Sequence, residues 1–182
     1  MTSFKKVEIH ESKTLKNYKR NKLNKANFGE FTYNDYLVFS YLISKLGGVD
    51  ANGKYLQSEE LPREHIVTAR EFSETFEVDI DNSYRFISKA VDKLLKTDIR
   101  IKEPDGYTRI NICSKAKYQE KKGRIFIKFT DDIMPYLAQA KEKFVMYNLK
   151  EISNFGSLYT IRLYELIQEF KETGWMVKSI EQ

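Results

Sequence analysis

The sequence predicts an α+β domain, a winged helix-turn-helix with additional helices and a small antiparallel sheet. Two stretches carry this prediction. Residues 68–96 have the pattern of two helices joined by a tight turn, and residues 108–129 have the pattern of a β-hairpin with a lysine-rich tip. A helix pair followed by a basic hairpin is the order of elements in a winged helix.

The composition is that of a single globular domain or two small ones, with 182 residues, 41% hydrophobic and 31% charged. Lysine and arginine outnumber aspartate and glutamate by 31 to 26, and the resulting charge of +5 permits a polyanionic partner without requiring one. No apolar run approaches the roughly 18 residues of a membrane span. The single cysteine, Cys113, fits a reducing compartment. We therefore expect a cytoplasmic protein without a membrane partner.

The first helix of the pair begins at a capping box. Thr68 and Glu71 have the T-x-x-E spacing in which side chains and backbone amides satisfy each other at a helix start. Phe72 and Phe76 are four residues apart and share one face. The pattern breaks at residues 77–79, so a second helix is expected to follow.

The second helix has an apolar stripe and a basic side. Its stripe consists of Ile87, Val91, Leu94 and Leu95. Its other side carries Asn82, Arg85, Lys89, Lys93 and Lys96. A DNA-reading helix requires this arrangement. An ordinary amphipathic helix with a solvated face has it too, and this stretch alone leaves both interpretations open.

The residues before this pair divide into two parts. Residues 1–27 are rich in lysine, with no acidic residue from Lys13 to Lys25, and they form either a basic arm that contacts phosphates or a solvated leader. Residues 31–46 predict a helix whose apolar positions spread over more than one side. Residues 65–67 predict a short strand.

The strands after the pair are expected to form the hairpin. Residues 98–102, 108–115 and 124–129 alternate in polarity, and each is predicted as a strand. The outward side of the last two would carry Arg109, Asn111, Cys113, Lys115, Phe126 and Lys128. Because solvent does not favour Cys113 or Phe126, this face is predicted to pair with another surface.

Further elements complete the α+β order. Residues 135–141 predict a helix, residues 143–148 a strand, and residues 149–155 a short helix or turn. Residues 158–171 predict the strongest C-terminal helix, with Leu163, Leu166, Ile167 and Phe170 directed inward.

Catalytic and metal-binding patterns are absent from the sequence. His10 and His65 are far apart, and no metal-ligand spacing or nucleophile motif occurs. Asp131 and Asp132 fit a turn before a helix better than a metal site. We therefore expect no enzyme activity, no cofactor, no metal and no small-molecule substrate.

Four stretches resemble the first winged-helix domain of the iteron-binding plasmid replication initiators, the Rep family. They are residues 31–46, residues 68–95, the segment FTDDIMPYL (129–137), and residues 144–174 with F-x-x-Y-x-L-x-x-I and S-x-Y-x-x-R-L-Y-E-L. Family members have two such domains in tandem. The resemblance implies a first domain over residues 28–175, with residues 176–182 starting a linker to a second domain that this sequence lacks.

The resemblance also implies a function. Family members bind repeated sites at a plasmid origin in bacterial cytoplasm, form homodimers, and recruit host replication proteins. Carried onto this chain, contacts to double-stranded DNA would come from Asn82, Ser83, Arg85, Lys89, Lys93, Lys117, Lys121, Lys122 and Arg124. The dimer interface would include Arg109, Asn111, Cys113, Phe126 and Lys128. Arg162 and Glu165 would anchor the domain internally.

Two other functions are compatible with the sequence. One is a protein-interaction module whose main role is self-association through the Cys113 and Phe126 face. The other is a winged-helix transcriptional regulator without an initiator role.

Overall fold

The computed structural model of the protein describes residues 16–47, 50–52, 54–138 and 144–177. Its helices are α1 (Asn21–Asn24), α2 (Tyr33–Ser44), α3 (Ala69–Phe76), α4 (Ile80–Lys96), α5 (Met134–Leu137), α6 (Leu149–Ile152) and α7 (Leu158–Glu169). Its strands are β1 (Lys16–Arg20), β2 (Glu64–Thr68), β3 (Asp98–Glu103), β4 (Gly106–Asn111), β5 (Cys113–Gln119), β6 (Arg124–Phe129) and β7 (Phe144–Asn148). Among the described helices, none combines the length and the apolar character that crossing a bilayer requires.

Helix α2 is the centre of the core. Thr32 caps it by accepting a hydrogen bond from the backbone N–H of Asp35, and the Asp35 carboxylate accepts from the Thr32 backbone in return. All residues from Asp35 to Ser44 are buried, which confirms that this helix is enclosed on more than one side. It packs against α4, β1 and α6.

A three-stranded antiparallel sheet covers one side of the helices in the order β2-β6-β5. Strands β5 and β6 form a hairpin that closes through a single 3₁₀ turn, Glu120–Lys122, followed by Gly123 at φ +56°. Helices α2, α3 and α4 with this sheet make a winged helix, so the predicted fold class is confirmed.

The predicted single strand over residues 108–115 is wrong, because the chain changes sheets in its middle. Strand β4 pairs with β3 and places Asn111 opposite Asp98, whereas β5 pairs with β6 and places Cys113 opposite Phe129. Thr130 holds the crossing point by donating its hydroxyl to the Asn111 carbonyl at 2.6 Å. The predicted dimer residues are thereby divided between two sheets.

The predicted boundary of the N-terminal arm at residue 27 is also wrong. Strand β1 pairs antiparallel with β7, and Leu23 is fully buried. The ammonium groups of Lys22 and Lys25 form ion pairs with Glu103 and Glu169 at 2.8 and 2.6 Å. Residues 16–27 therefore belong to the folded domain, while residues 1–15 lie outside the described residues.

Helix α7 presents the opposite face to the one expected. Ile161 and Glu165 are fully buried, whereas Leu163 and Ile167 are 38% and 51% exposed. The Glu165 carboxylate accepts hydrogen bonds from the hydroxyls of Tyr36 and Tyr147 at 2.7 and 2.5 Å.

Arg162 completes this buried network. Its guanidinium donates to Glu165 at 3.3 Å and to the Ala26 carbonyl at 3.1 Å. These contacts join α7 to α2, β7 and the α1 region, which confirms that Arg162 and Glu165 anchor the domain. The polar partners on other elements, absent from any local pattern, determine which face of α7 is buried.

The remaining elements follow the predictions within a few residues. Helix α5 ends at Leu137, and residues 139–141 of the predicted helix lie outside the described part of the chain. Residues 178–182 also lie outside it, so the linker stays a prediction.

Candidate nucleic-acid interface

Both helices of the helix-turn-helix have a capped N-terminus. The Thr68 hydroxyl accepts from the Glu71 N–H at 3.1 Å, which is the predicted cap of α3. The rings of Phe72 and Phe76 lie 4.7 Å apart and are buried. Glu77 ends α3 in the left-handed region at φ +56°, and Asp79 caps α4 by accepting from the Asp81 N–H at 3.0 Å.

The inner face of α4 is the predicted apolar stripe, with Ile87, Val91 and Leu94 almost fully buried. Ser83 lies on this stripe, one turn before Ile87, and its predicted role in DNA binding is wrong. Its side chain is fully buried, and its hydroxyl donates to the Asp79 carbonyl at 2.8 Å.

The outer side of α4 carries an exposed pair of cations, Arg85 and Lys89, which we call the α4 ridge. Arg85 is oriented by a hydrogen bond from its guanidinium to the Asn82 side-chain oxygen at 2.8 Å. Asn82 is fixed in turn by donating to the Asp79 carboxylate at 3.0 Å. In the described part of the chain no carboxylate forms an ion pair with either member of the ridge. The ridge therefore presents two positive charges to solvent.

Lys93 is not free to bind a phosphate, contrary to the prediction. Its ammonium donates to the Asp35 carboxylate at 2.9 Å and to the Glu30 carbonyl at 2.5 Å. Burial raises the pKa of Asp35, but hydrogen bonds from Thr32 and Lys93 outweigh burial and hold that pKa below its ordinary value. The pair ties the last turns of α4 to the start of α2.

The hairpin contributes a second basic group at its tip, where Lys121 and Lys122 are exposed. The tip lies at the beginning of α3, because the Ala69 N–H donates to the Gly123 carbonyl at 2.8 Å. The hairpin is also fixed to α4, since the Tyr118 hydroxyl donates to the Asp92 carboxylate. The hairpin therefore packs against α4 and meets the start of α3.

An acidic side chain, Asp92, also lies on the exposed side of α4. Asp92 lies on the exposed side of α4 that faces the hairpin, between the helix and Tyr118. Burial and the nearby Asp92 raise the pKa of Tyr118 above its usual value, so its hydroxyl keeps its proton. Asp92 therefore adds a negative charge to the exposed side of α4 that also carries the α4 ridge.

Lys117 and Arg124 point away from α4, so they do not extend the surface predicted for DNA. Along β5 and β6, side chains alternate between the two faces of the sheet, and Tyr118 and Ile125 take the inner one. Lys117 pairs across the strands with Phe126, and the Arg124 guanidinium lies 5.2 Å from the Phe126 ring centre. This opposite side, the outer sheet face, carries Lys115, Lys117, Arg124, Phe126 and Lys128 on β5 and β6, and Glu64 and Ile66 on β2.

The predicted dimer residues do not form one surface. Cys113 is 3% exposed, and burial raises the pKa of its thiol to about 12, so its assignment to an interface is wrong. Arg109 lies in the β3-β4 hairpin and donates two hydrogen bonds to the Asp98 carboxylate at 2.6 and 2.7 Å. Of the predicted residues, Phe126 and Lys128 share the outer sheet face.

One further residue beside the α4 ridge is not predicted from the sequence. Asn34, in the first turn of α2, lines a cleft whose other wall is α4. No local pattern could have found it, because the two walls are far apart in sequence. Lys115, by contrast, was predicted on the outward face by strand alternation, and it lies on the outer sheet face.

Metal-ligating clusters are absent from the described residues, where no group of three or more His, Cys, Asp or Glu side chains converges. His65 is buried and bonds through Nε2 to the Pro62 carbonyl at 2.8 Å, and burial lowers its pKa to about 4. Asp131 forms an ion pair with Arg63 at 2.9 Å.

Comparisons with known proteins identify the family and the fold of this chain. A family model described as the WH1 domain of initiator replication protein matches residues 16–168. A replication initiation protein of Escherichia coli is 27% identical over 117 residues, which are 63% of this chain and 33% of that protein.

Two solved structures were also compared. The crystal structure of the Pi initiator protein in complex with iteron DNA has a TM-score of 0.71 at 20% identity, over 87% of this chain and 65% of that one. A WH1 domain of a replication protein isolated from a multiple sclerosis patient has a TM-score of 0.39 at 17% identity, over 67% and 84% of the two chains.

The matched region corresponds to a third of the length of the Escherichia coli relative. The structural likeness to the Pi initiator shows the shared fold, and the family model covers most of the chain. The chain therefore belongs to the family of initiator replication protein WH1 domains.

Proposed function

We propose that this domain binds double-stranded DNA at the repeats of a plasmid origin, as the first winged-helix domain of a replication initiator. The observation that carries the proposal is the α4 ridge. Arg85 and Lys89 are exposed, lie one turn apart on the second helix of a capped helix-turn-helix, and have no acidic partner among the described residues. The solved complex of the Pi initiator with iteron DNA supports the same partner for this chain.

The contacts are proposed to be with the DNA backbone. A guanidinium binds two phosphate oxygens at once, and an ammonium acts as a compact point charge. Arg85 would take the first role and Lys89 the second, with Asn82 holding the Arg85 side chain in place. These contacts position the protein but do not read bases directly.

The hairpin tip would supply a second, separate backbone contact through Lys121 and Lys122. The hairpin packs against α4, so both basic groups belong to elements in direct contact. Asp92 would repel a phosphate placed beside it. The duplex would therefore be held at two points.

Other activities belong to the whole initiator in this proposal. Opening of the origin, recruitment of host replication proteins, and control of replication in the bacterial cytoplasm would need further regions of a protein like the Escherichia coli relative, of which the matched region is a third. The family match favours an initiator over a transcriptional regulator.

Fluorescence anisotropy with a labelled duplex tests the DNA contact. Replacing Arg85 and Lys89 by alanine should weaken binding about tenfold or more at about 100 mM salt. The matched control replaces Lys102 and Lys171, which are exposed and lie on β3 and beyond α7. If the two double variants lose the same affinity for the duplex, net charge alone determines binding and the α4 ridge is not the contact. No wild-type binding at about 50 mM salt would reject the proposal.

Self-association through the outer sheet face is a second proposed function. It is favoured by Phe126 and its cross-strand neighbour Ile66, both half-buried on a face that also carries Glu64 and four basic side chains. Two such faces would bring Lys117 and Lys128 near their equivalents, and salt would screen that repulsion. Sedimentation velocity should therefore show more homodimer as salt rises, opposite to the trend for DNA binding. A strict monomer at all salt concentrations would exclude this role.

A further inference from the structure

We infer that the cleft between the start of α2 and the α4 ridge seats one phosphate of a DNA backbone, and that Asn34 is a further contact residue. This inference rests on the proposed function and adds a second element, α2, to the DNA-binding surface.

The cleft has two walls and a volume of 460 Å³. One wall is the beginning of α2, and the other is the outer side of α4. Its lining consists of Thr32, Asn34, Asp35, Arg85, Phe86, Lys89 and Lys93. An anion that approached the α4 ridge from this side would meet α2 as well.

The charge of the cleft is positive. Three cations and one carboxylate line it, which leaves a net charge of +2. Asp35 is occupied, because its carboxylate accepts hydrogen bonds from Thr32 and from the Lys93 ammonium. The charge without a counter-ion is therefore that of Arg85 and Lys89, the two members of the α4 ridge.

Asn34 supplies neutral donors opposite those cations. Its side chain is exposed, and within the described part of the chain it makes no hydrogen bond. The cap of α2 is formed by Thr32 and Asp35, so the Asn34 amide has no structural task there. Backbone N–H groups in the first turn of a helix lack intrahelical acceptors and add to the positive potential.

The lining favours a phosphodiester over a small organic ligand. Sites for small molecules are enclosed and mostly apolar, whereas this cleft contains a single ring, Phe86, among polar and charged side chains. A backbone phosphate carries one negative charge and several acceptor oxygens. Two cations and an amide match it in charge and in hydrogen-bonding capacity.

Opposite charge changes at Asn34 test the inference. N34D should weaken binding to a labelled duplex about tenfold, and N34K should strengthen it severalfold and steepen the slope of log affinity against log salt by about 1. The matched controls are N154D and N154K, which alter the net charge equally in the exposed turn before α7. Both controls should bind like wild type.

Loss of folding would not imitate the expected result. An aspartate in the first turn of a helix is favourable, so N34D should keep the wild-type urea midpoint while losing affinity. If the Asn34 variants bind like the Asn154 controls while the R85A/K89A protein is still impaired, the cleft makes no contact and the proposed function stands. If R85A/K89A also binds normally, the proposed function itself is wrong.

Discussion

Replacing Glu165 by alanine should destabilise the domain more than almost any other single polar substitution. The carboxylate is fully buried and accepts hydrogen bonds from Tyr36, Tyr147 and Arg162. Its removal deprives two buried hydroxyls of their carboxylate acceptor, at about 1–3 kcal/mol for each group left unpaired. It also removes the buried counter-ion of Arg162.

The expected total is about 4 kcal/mol, because breaking a buried ion pair from one side costs about 3–5 kcal/mol. The Arg162 guanidinium keeps its bonds to the Asn24 and Ala26 carbonyls and lies 4.9 Å from the Phe28 ring centre, which limits the loss. E165Q keeps the shape of the side chain and one acceptor oxygen, so it should lose about half as much.

Urea unfolding followed by far-ultraviolet circular dichroism measures the loss. The matched control is E172A, in the exposed turn after α7, which should change stability by less than about 0.5 kcal/mol. A cycle with Y147F should show coupling of about 1–2 kcal/mol with E165A. If E165A unfolds within about 1 kcal/mol of wild type, the buried network does not determine the orientation of α7.

Three shorter predictions concern other elements. Burial lowers the pKa of His65 to about 4 from 6.5, so between these pH values the unfolded state binds a proton that the folded state does not. The free energy of unfolding should therefore fall by about 3 kcal/mol as the pH is lowered from above 6.5 toward 4. The urea midpoints of H65Q should depend less on pH over this range. T68A should cost about 1 kcal/mol in the same assay by removing the cap of α3, and an unchanged midpoint would contradict the cap. I167K should lower the free energy of unfolding by less than about 0.5 kcal/mol, because Ile167 is 51% exposed. A loss of about 3 kcal/mol would show instead that this side chain is packed in the core.

The helix-turn-helix and the hairpin were predictable because their signals are local. The Thr68–Glu71 box, the Phe72–Phe76 pair and the alternation of residues 124–129 each depend on neighbours within a few positions. The structure has α3 beginning after Thr68 and β6 at Arg124–Phe129. The sequence of each such element is therefore enough to predict it.

Helix α7 shows what the local pattern lacks. Its apolar residues predicted an inward face containing Leu163 and Ile167, but the buried residues include Glu165. A carboxylate can be buried where distant tyrosines and an arginine satisfy it. Tyr36 lies on α2, so its role could not be read from the residues around α7.

The other errors also come from contacts between distant segments. Strand β1 exists because β7 pairs with it, and the basic composition of residues 1–27 gave no sign of that partner. The division between β4 and β5 occurs without a glycine or proline, so nothing at Ile112 marks it. The sequence predicts Lys93 as a DNA contact, since nothing near it in the chain indicates that its ammonium pairs with Asp35 on α2.

The salt dependence of duplex binding by the wild-type protein is the most direct test of the claim that this domain holds DNA by its backbone. The exposed cations of the α4 ridge and the hairpin tip are Arg85, Lys89, Lys121 and Lys122. Four phosphate neutralisations predict a slope of log affinity against log salt of about −3.6 in titrations from about 50 to 300 mM salt. A slope near zero would contradict the account.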